Sequence, residues 1–331
     1  MSGDAARIAA HVARRARWRP GEIGFWLAIV ALIATVPSRA LLVNEILDAG
    51  LFALSLDLIL GYAGILSLGQ AAFFGIGAYG AAILSSHGLA EPALGLLLAS
   101  LLAGVAGLVC APLVLRGAAL TQLMVTLGIC LMLGELANRN AWATGGADGL
   151  NLDVAPVLGL FPIGFTGQRN AAFYSLAVVF ALFVLARRIV QSPFGLSLRA
   201  LRDNPLRAGA LGVGSGPRLV AIYGLAAAYA GAAGALVAQT TQIVSLDVFE
   251  FHRSADVLLM LIIGGTGCLY GGLVGAALFI AIKDGVSTVT PEYWEFWIGL
   301  LLVALVMAGR ERVAGRIAGL ARRLLPRRSP A

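Results

Sequence analysis

Apolar residues run along this chain in long, nearly continuous blocks separated by short polar punctuation. Ten blocks can be drawn, at residues 24–43, 46–66, 70–88, 92–115, 118–138, 170–187, 219–241, 254–268, 269–286 and 294–309. A helix needs about 20 apolar residues to cross a bilayer, and most of the blocks approach that length. Lipid-facing barrel strands alternate apolar and polar positions, and these blocks do not. The pattern predicts an all-α, polytopic membrane helix bundle of about ten spans with Gly-rich, broken helices. The competing count is eight, because the turns near Ser67 and Gly267 carry no charge and can be re-entrant breaks.

Composition narrows the class further. Of 331 residues, 59% are hydrophobic and 12% charged, whereas a soluble domain carries about 25% charged residues. A soluble enzyme, a disordered chain and a disulfide scaffold are excluded. The net charge of +7 invites a nucleic-acid partner, but the placement of the basic residues argues against one. Five arginines lie between Arg7 and Arg19, six between Arg187 and Arg218, and seven between Arg310 and Arg328. Basic residues concentrate on the cytoplasmic side, so these clusters share that side and both termini are expected to be cytoplasmic.

The resulting organisation is a basic cytoplasmic segment at 1–22, a transmembrane domain at 23–309 and a basic amphipathic tail at 310–331. The transmembrane domain has a cytoplasmic loop at 188–218 and an external loop at 139–168. The first block is read as an uncleaved span, since Pro37-Ser38-Arg39 makes a poor cleavage site. In the tail, Val313, Ile317, Leu320 and Leu324 form one stripe beside several arginines. That pattern suits membrane lipid as a partner.

Catalytic and cofactor chemistry find no support. His11, His87 and His252 lack metal-ligand spacing, and Cys110, Cys130 and Cys268 are far apart, as residues that pack between helices would be. The literal G-x-G-x-x-G at Gly75–Gly80 lies inside an apolar helix and not after a strand. A G-x-x-x-x-G-K-[ST] phosphate loop is also absent, so no cofactor and no nucleotide site are expected in this chain.

Glycine numbers 42, well above the usual share of about 7%. Stretches such as Ala227–Gly234 read as close helix contacts, where small residues let backbones approach. Gly61–Gln70 is different, with three glycines beside Ser67 and Gln70. Irregular backbone is tolerated in a membrane only when buried in protein or lining a wet cavity. Its spacing, G-x-x-G-x-L-x-x-G, recurs at Gly264, Gly267, Leu269 and Gly272. Among the few ionisable groups within apolar blocks are the carboxylates Asp57 and Glu135, where charge is expensive. Asp57, Gly61, Gly64, Ser67, Gln70 and Glu135 are therefore the candidate translocation pathway; for the two acids, helix-to-helix hydrogen bonding is the competing role.

The most informative polar segment is the cytoplasmic loop. Leu198 and Leu201-Arg202 fit a short helix after Gly195. Asp203 or Asn204 can cap a second helix that starts at Pro205 and ends near Gly212. An ordered helix pair of this kind needs something to dock against. A coupling element facing a cytosolic partner is expected, with Arg199, Arg202, Asp203, Asn204, Pro205, Arg207 and Gly212 as its working residues.

These motifs together carry a resemblance. Gly61–Tyr79, Thr144–Leu150, Phe194–Gly212 and Leu258–Gly272 resemble the signature segments of LivM-type branched-chain amino-acid ABC transporter permeases, in the same order. The chain departs from the family in three places: Asp57 where asparagine is usual, Gln70 where histidine is frequent, and Ala208-Gly209-Ala210 where Ala-Ala-Glu is common. The resemblance implies a permease subunit in a bacterial inner membrane, paired with a homologous second permease. It further implies two cytosolic ABC ATPase subunits on the coupling loops and an external substrate-binding protein. The substrate it implies is a branched-chain amino acid, the alternatives within the family being urea, short amides or aromatic acids. A proton-coupled secondary transporter working through Asp57 and Glu135 is the reading from another class.

Overall fold

Inside lipid, backbone N–H and C=O groups have no water to bond, so a chain this apolar satisfies them within helices. The computed structural model describes residues 20–35, 39–88, 91–152, 154–156, 168–289, 296–297 and 299–300. Helices α1 (Pro20–Thr35), α2 (Ala40–Leu56), α3 (Gln70–Ser86), α4 (Pro92–Val114) and α5 (Ala119–Arg139) come first. They are followed by α6 (Gln168–Gln191), α7 (Pro193–Asp203), α8 (Pro205–Ala210), α9 (Gly216–Thr241), α10 (Phe251–Gly264) and α11 (Leu269–Val289). Among the described residues, five helices (α4, α5, α6, α9 and most of α11) are long and apolar enough to cross a membrane. The chain is a multi-pass helical membrane protein.

The spans are not all drawn where the hydropathy blocks put them. The first block, 24–43, straddles a boundary, since α1 ends at Thr35 and α2 starts at Ala40. Pro37 lies between them, and its missing N–H makes a continuous helix unfavourable there. The block at 254–268 becomes α10, only 14 residues long. At about 1.5 Å per residue that helix falls short of a hydrocarbon core about 30 Å thick. Most of the block at 294–309, the segment 1–19 and the tail 310–331 lie outside the described residues.

The chain divides into two compact units, residues 1–276 and 277–331. In the second, the described residues comprise the last part of α11 and a short apolar segment whose Phe296 and Trp297 rings meet edge to face at 5.7 Å. The first unit is built around α9, buried along most of its length.

Close packing of α4 on α9 follows from sequence. Gly95, Ala99, Ala103, Gly107 and Ala111 recur every fourth residue of α4 and are all buried. Leu97, Leu101, Val105, Val109 and Leu113 stand exposed on the other face, which is the lipid side of such a helix. Across the small-residue stripe, a side chain on Gly104 would come within 3.1 Å of the Ala228 Cβ. The Ser100 hydroxyl donates to the Ala228 carbonyl at 3.0 Å. Without a hydrophobic drive between helices in lipid, such contacts hold the pair together.

Other ties are polar and buried. Arg187 of α6 donates through Nη1 to Glu22 Oε2 of α1 at 2.6 Å, beside an aromatic cluster of Trp26, Phe180 and Phe183. At the opposite end, a two-stranded antiparallel ribbon joins β1 (Leu150–Asn151) to β2 (Ile243–Val244). The Thr144–Leu150 motif shapes its approach. Gly145 and Gly149 take φ of +71° and +72°, and a side chain on Gly145 would collide with the Gly149 carbonyl.

Candidate functional site

Two breaks interrupt the bundle, one between α2 and α3 and one between α10 and α11. In the first, α2 widens into a π-type turn at Asp57–Gly61, and the chain is non-helical from Gly64 to Gly69. In the second, α10 ends at Gly264 and α11 resumes at Leu269. The repeated glycine spacing proves structural, for the aligned glycines Gly64 and Gly267 have φ of +74° and +77°. Residues with a Cβ rarely adopt that left-handed conformation.

The two breaks touch. The Gly267 N–H donates to Asp57 Oδ1 at 2.7 Å. A side chain on Gly61 would come within 2.5 Å of the Gly267 nitrogen, so glycine at both positions lets the backbones meet. Lower in the repeats, a Cβ on Gly272 would stand 3.0 Å from the Leu54 nitrogen of α2. Asp57 is fully buried and acts as a helix-break to helix-break tie.

The loop hairpin closes over this crossing. Ser192 caps α7, its hydroxyl accepting from the Gly195 N–H at 3.5 Å. Asn204 caps α8, its Oδ1 accepting from the Arg207 N–H at 2.9 Å. Pro205 opens α8, and Gly212 follows it with φ of +79°. The expected helix pair is therefore present, except that its first helix starts at Pro193, before Gly195, because Ser192 and Pro193 supply a cap and an N1 proline.

From α7, the Arg202 guanidinium donates through Nη1 to the Gly61 carbonyl, a group the π-type turn has freed from regular helix bonding. The aliphatic stem of Arg202 occupies the space a side chain on Gly64 would need, with Cγ 2.7 Å from that Cβ position. One turn earlier, Arg199 sits over the Tyr62 ring at 4.9 Å from its centroid, a cation–π contact. Two arginines of the loop thus grip the first break, and Arg202 Nη1 also lies 3.3 Å from the Cβ position of Gly267. Asp203 pairs with Arg202 Nε at 3.3 Å on an exposed surface, and Arg207 is exposed.

Further along the first break, the chain enters the bundle. The Thr126 hydroxyl of α5 accepts from the Leu68 N–H at 3.2 Å, and Ser67 Oγ accepts from the Gly69 N–H at 3.3 Å. Ser254 of α10 accepts from the Ala71 N–H at 3.0 Å. Gln70 begins α3 at this point and is 1% exposed. Asp57, Gly61, Gly64, Ser67 and Gln70 therefore belong to one continuous structure. Glu135 stands apart, exposed on α5 and paired with Arg139 of the next turn at 2.8 Å.

Asp48 is a buried polar residue that sequence reasoning passed over. It accepts from Asn44 Nδ2 at 3.2 Å and from the Thr240 hydroxyl at 3.4 Å, and Ser175 bonds Asn44 from α6. The i,i+4 spacing of Asn44 and Asp48 on one apolar helix is the signal that finds it. Of the cysteines, Cys130 is buried and donates to the Phe249 carbonyl at 3.1 Å, whereas Cys268 is exposed instead of packed between helices.

Comparison with known proteins points to transport. The profile of the family described as "Branched-chain amino acid transport system / permease component" matches residues 39–306. The chain is 28% identical to the high-affinity branched-chain amino acid transport system permease protein LivM of Escherichia coli (strain K12), and equally to that of Salmonella typhimurium. Each match covers 78% of this chain and 65% of the relative's length. It is also 26% identical to the autoinducer 2 import system permease protein LsrC of Photorhabdus laumondii, over 59% of this chain and 58% of that protein. No solved structure matches the chain. With a family match over residues 39–306, which include both glycine breaks and the loop hairpin, this chain belongs to the branched-chain amino acid transport system permease family.

Proposed function

We propose that this chain is the transmembrane permease subunit of an ATP-driven importer in a bacterial inner membrane. It carries branched-chain amino acids delivered by an external binding protein. In this reading both termini lie in the cytoplasm. It pairs with a homologous second permease, and two cytosolic ATPase subunits hydrolyse the ATP.

The observation that carries the proposal is the two-faced loop hairpin. Its inner face is fixed to the first break by Arg199 and Arg202. Its outer face presents Leu206 and Leu211, 86% and 77% exposed. The basic clusters support a cytoplasmic position for this hairpin, where the two exposed leucines would be available to a protein partner. An ATPase subunit seated there would move α7 and α8 as levers, and Arg202 would transmit the motion to the Gly61–Gly267 crossing. Opening of that crossing on the cytoplasmic side would release substrate, and closure would reset it.

The discriminating experiment is co-purification. With Leu206→Asp and Leu211→Asp together, the ATPase subunits are expected to be lost while the spans stay folded. Retention of the ATPases by that variant, or by a deletion of residues 195–212, would remove the coupling role. Accumulation of leucine by this chain alone, driven by a pH gradient, would favour the secondary-transport reading instead.

A further inference from the structure

Where the non-helical stretch Gly64–Gly69 turns into α3, four polar side chains, from that stretch, α3, α5 and α10, are buried: Ser67, Gln70, Thr126 and Ser254, exposed by 3%, 1%, 1% and 2%. Three of them have evident work. The Ser67, Thr126 and Ser254 hydroxyls each accept a backbone N–H from residues 68–71. Gln70 does not, for among the described residues neither Oε1 nor Nε2 has a hydrogen-bond partner.

A fully buried carboxamide with nothing to bond is costly to the fold and calls for an explanation. A residue kept for packing alone would do better as leucine or methionine, which fill similar space without an amide to desolvate. The surroundings also favour negative charge. Gln70 lies in the first turn of a 17-residue helix, whose N-terminus carries partial positive charge. That N-terminus is inside the bundle. It faces Thr126, which is seven residues into α5, about 10 Å along that helix. Broken helices whose N-termini meet an anionic group near the membrane centre are an established way to build a transport site.

We infer that the first turn of α3, with the Gln70 carboxamide, is a subsite within the membrane for the carboxylate of the transported molecule. Nε2 donates to the carboxylate, and the helix N-terminus balances its charge. The hydroxyls of Ser67, Thr126 and Ser254 hold the backbone of the turn in place. Gln70 is 1% exposed, so the subsite would be filled only when the Gly61–Gly267 crossing or the opposite end opens. This inference rests on the importer reading above and adds a chemical requirement to it: the substrate is an acid.

The test uses the complete transporter, reconstituted with both permeases, the ATPases and the binding protein, and follows radiolabelled L-leucine uptake at saturating binding protein. Gln70→Met is expected to leave assembly intact and thermal stability unchanged or raised, because the unbonded amide is gone, while uptake falls at least tenfold. Gln70→Glu places a carboxylate against the substrate's own and is expected to lower uptake at least as far. A lower Tm for Gln70→Met would make Gln70 a structural residue and overturn the subsite. Uptake by Gln70→Met within twofold of the wild type would overturn it as well, leaving an ordered water as the amide's partner. Failure of the wild-type complex to take up leucine would instead overturn the importer reading, and the subsite with it.

Discussion

Along α4 and α9 glycine keeps helical geometry and serves as a spacer; where the α2–α3 and α10–α11 breaks cross, it turns the backbone and frees its polar groups. In the first region the gain is proximity, with Gly104, Gly107, Gly224 and Gly231 letting two helices approach side by side. In the second, Gly64 and Gly267 adopt positive φ, and the Gly61 carbonyl and Gly267 N–H bond to Arg202 and Asp57. A membrane bundle can therefore carry the same residue as mortar between straight helices and, in the proposed mechanism, as a joint where helices break. The distinction is energetic, since a joint must be held by contacts weak enough to exchange.

Substitutions should separate the two uses. The largest effect is expected where α9 packs rigidly on α3: in Gly234→Val the new side chain would fall on the Phe74 carbonyl, and backbone cannot yield as a side chain can. Overpacking costs about 1–3 kcal/mol or more, so the variant should lose monodisperse protein on size-exclusion chromatography. Next comes Gly64→Ala, which asks a Cβ to adopt φ of +74° and displaces Arg202. Left-handed geometry costs about 1–2 kcal/mol, enough to lower the Tm by a few degrees while the protein remains folded and uptake falls. Asn204→Ala removes the cap of α8 at a cost of about 1 kcal/mol. Its effect should be confined to faster hydrogen exchange in residues 205–210 and weaker ATPase binding. The smallest effect belongs to Glu135→Gln, whose partner Arg139 is exposed on the same helix; uptake and its pH dependence should match the wild type, which also bears on any proton-coupled reading.

Much of the hairpin was legible from sequence because its signals are local. A cap, an N1 proline and a terminal glycine lie within ten residues of one another, and Asn204, Pro205 and Gly212 take those parts. The breaks were visible as breaks for the same reason. Their meeting was not, because Asp57 and Gly267 are separated by 210 positions, and the donor is a backbone N–H with no side chain to advertise it. The grip of Arg202 on Gly61 was hidden in the same way: the arginine was readable as part of a coupling element, its backbone acceptor was not. Depth misled in the case of Glu135, since a carboxylate near the end of an apolar block can emerge among exposed groups. Asp48 escaped notice because its partners Asn44, Thr240 and, through Asn44, Ser175 come mostly from distant helices.

Whether the hairpin drives the crossing is read directly by the ratio of leucine imported to ATP hydrolysed by an Arg202→Ala transporter. Loss of the Gly61 bond should leave ATPase binding and hydrolysis near wild-type rates, because Leu206 and Leu211 are untouched. Import per ATP is expected to fall at least tenfold. An unchanged ratio would show that motion reaches the membrane by another route and would contradict the role given to Arg202.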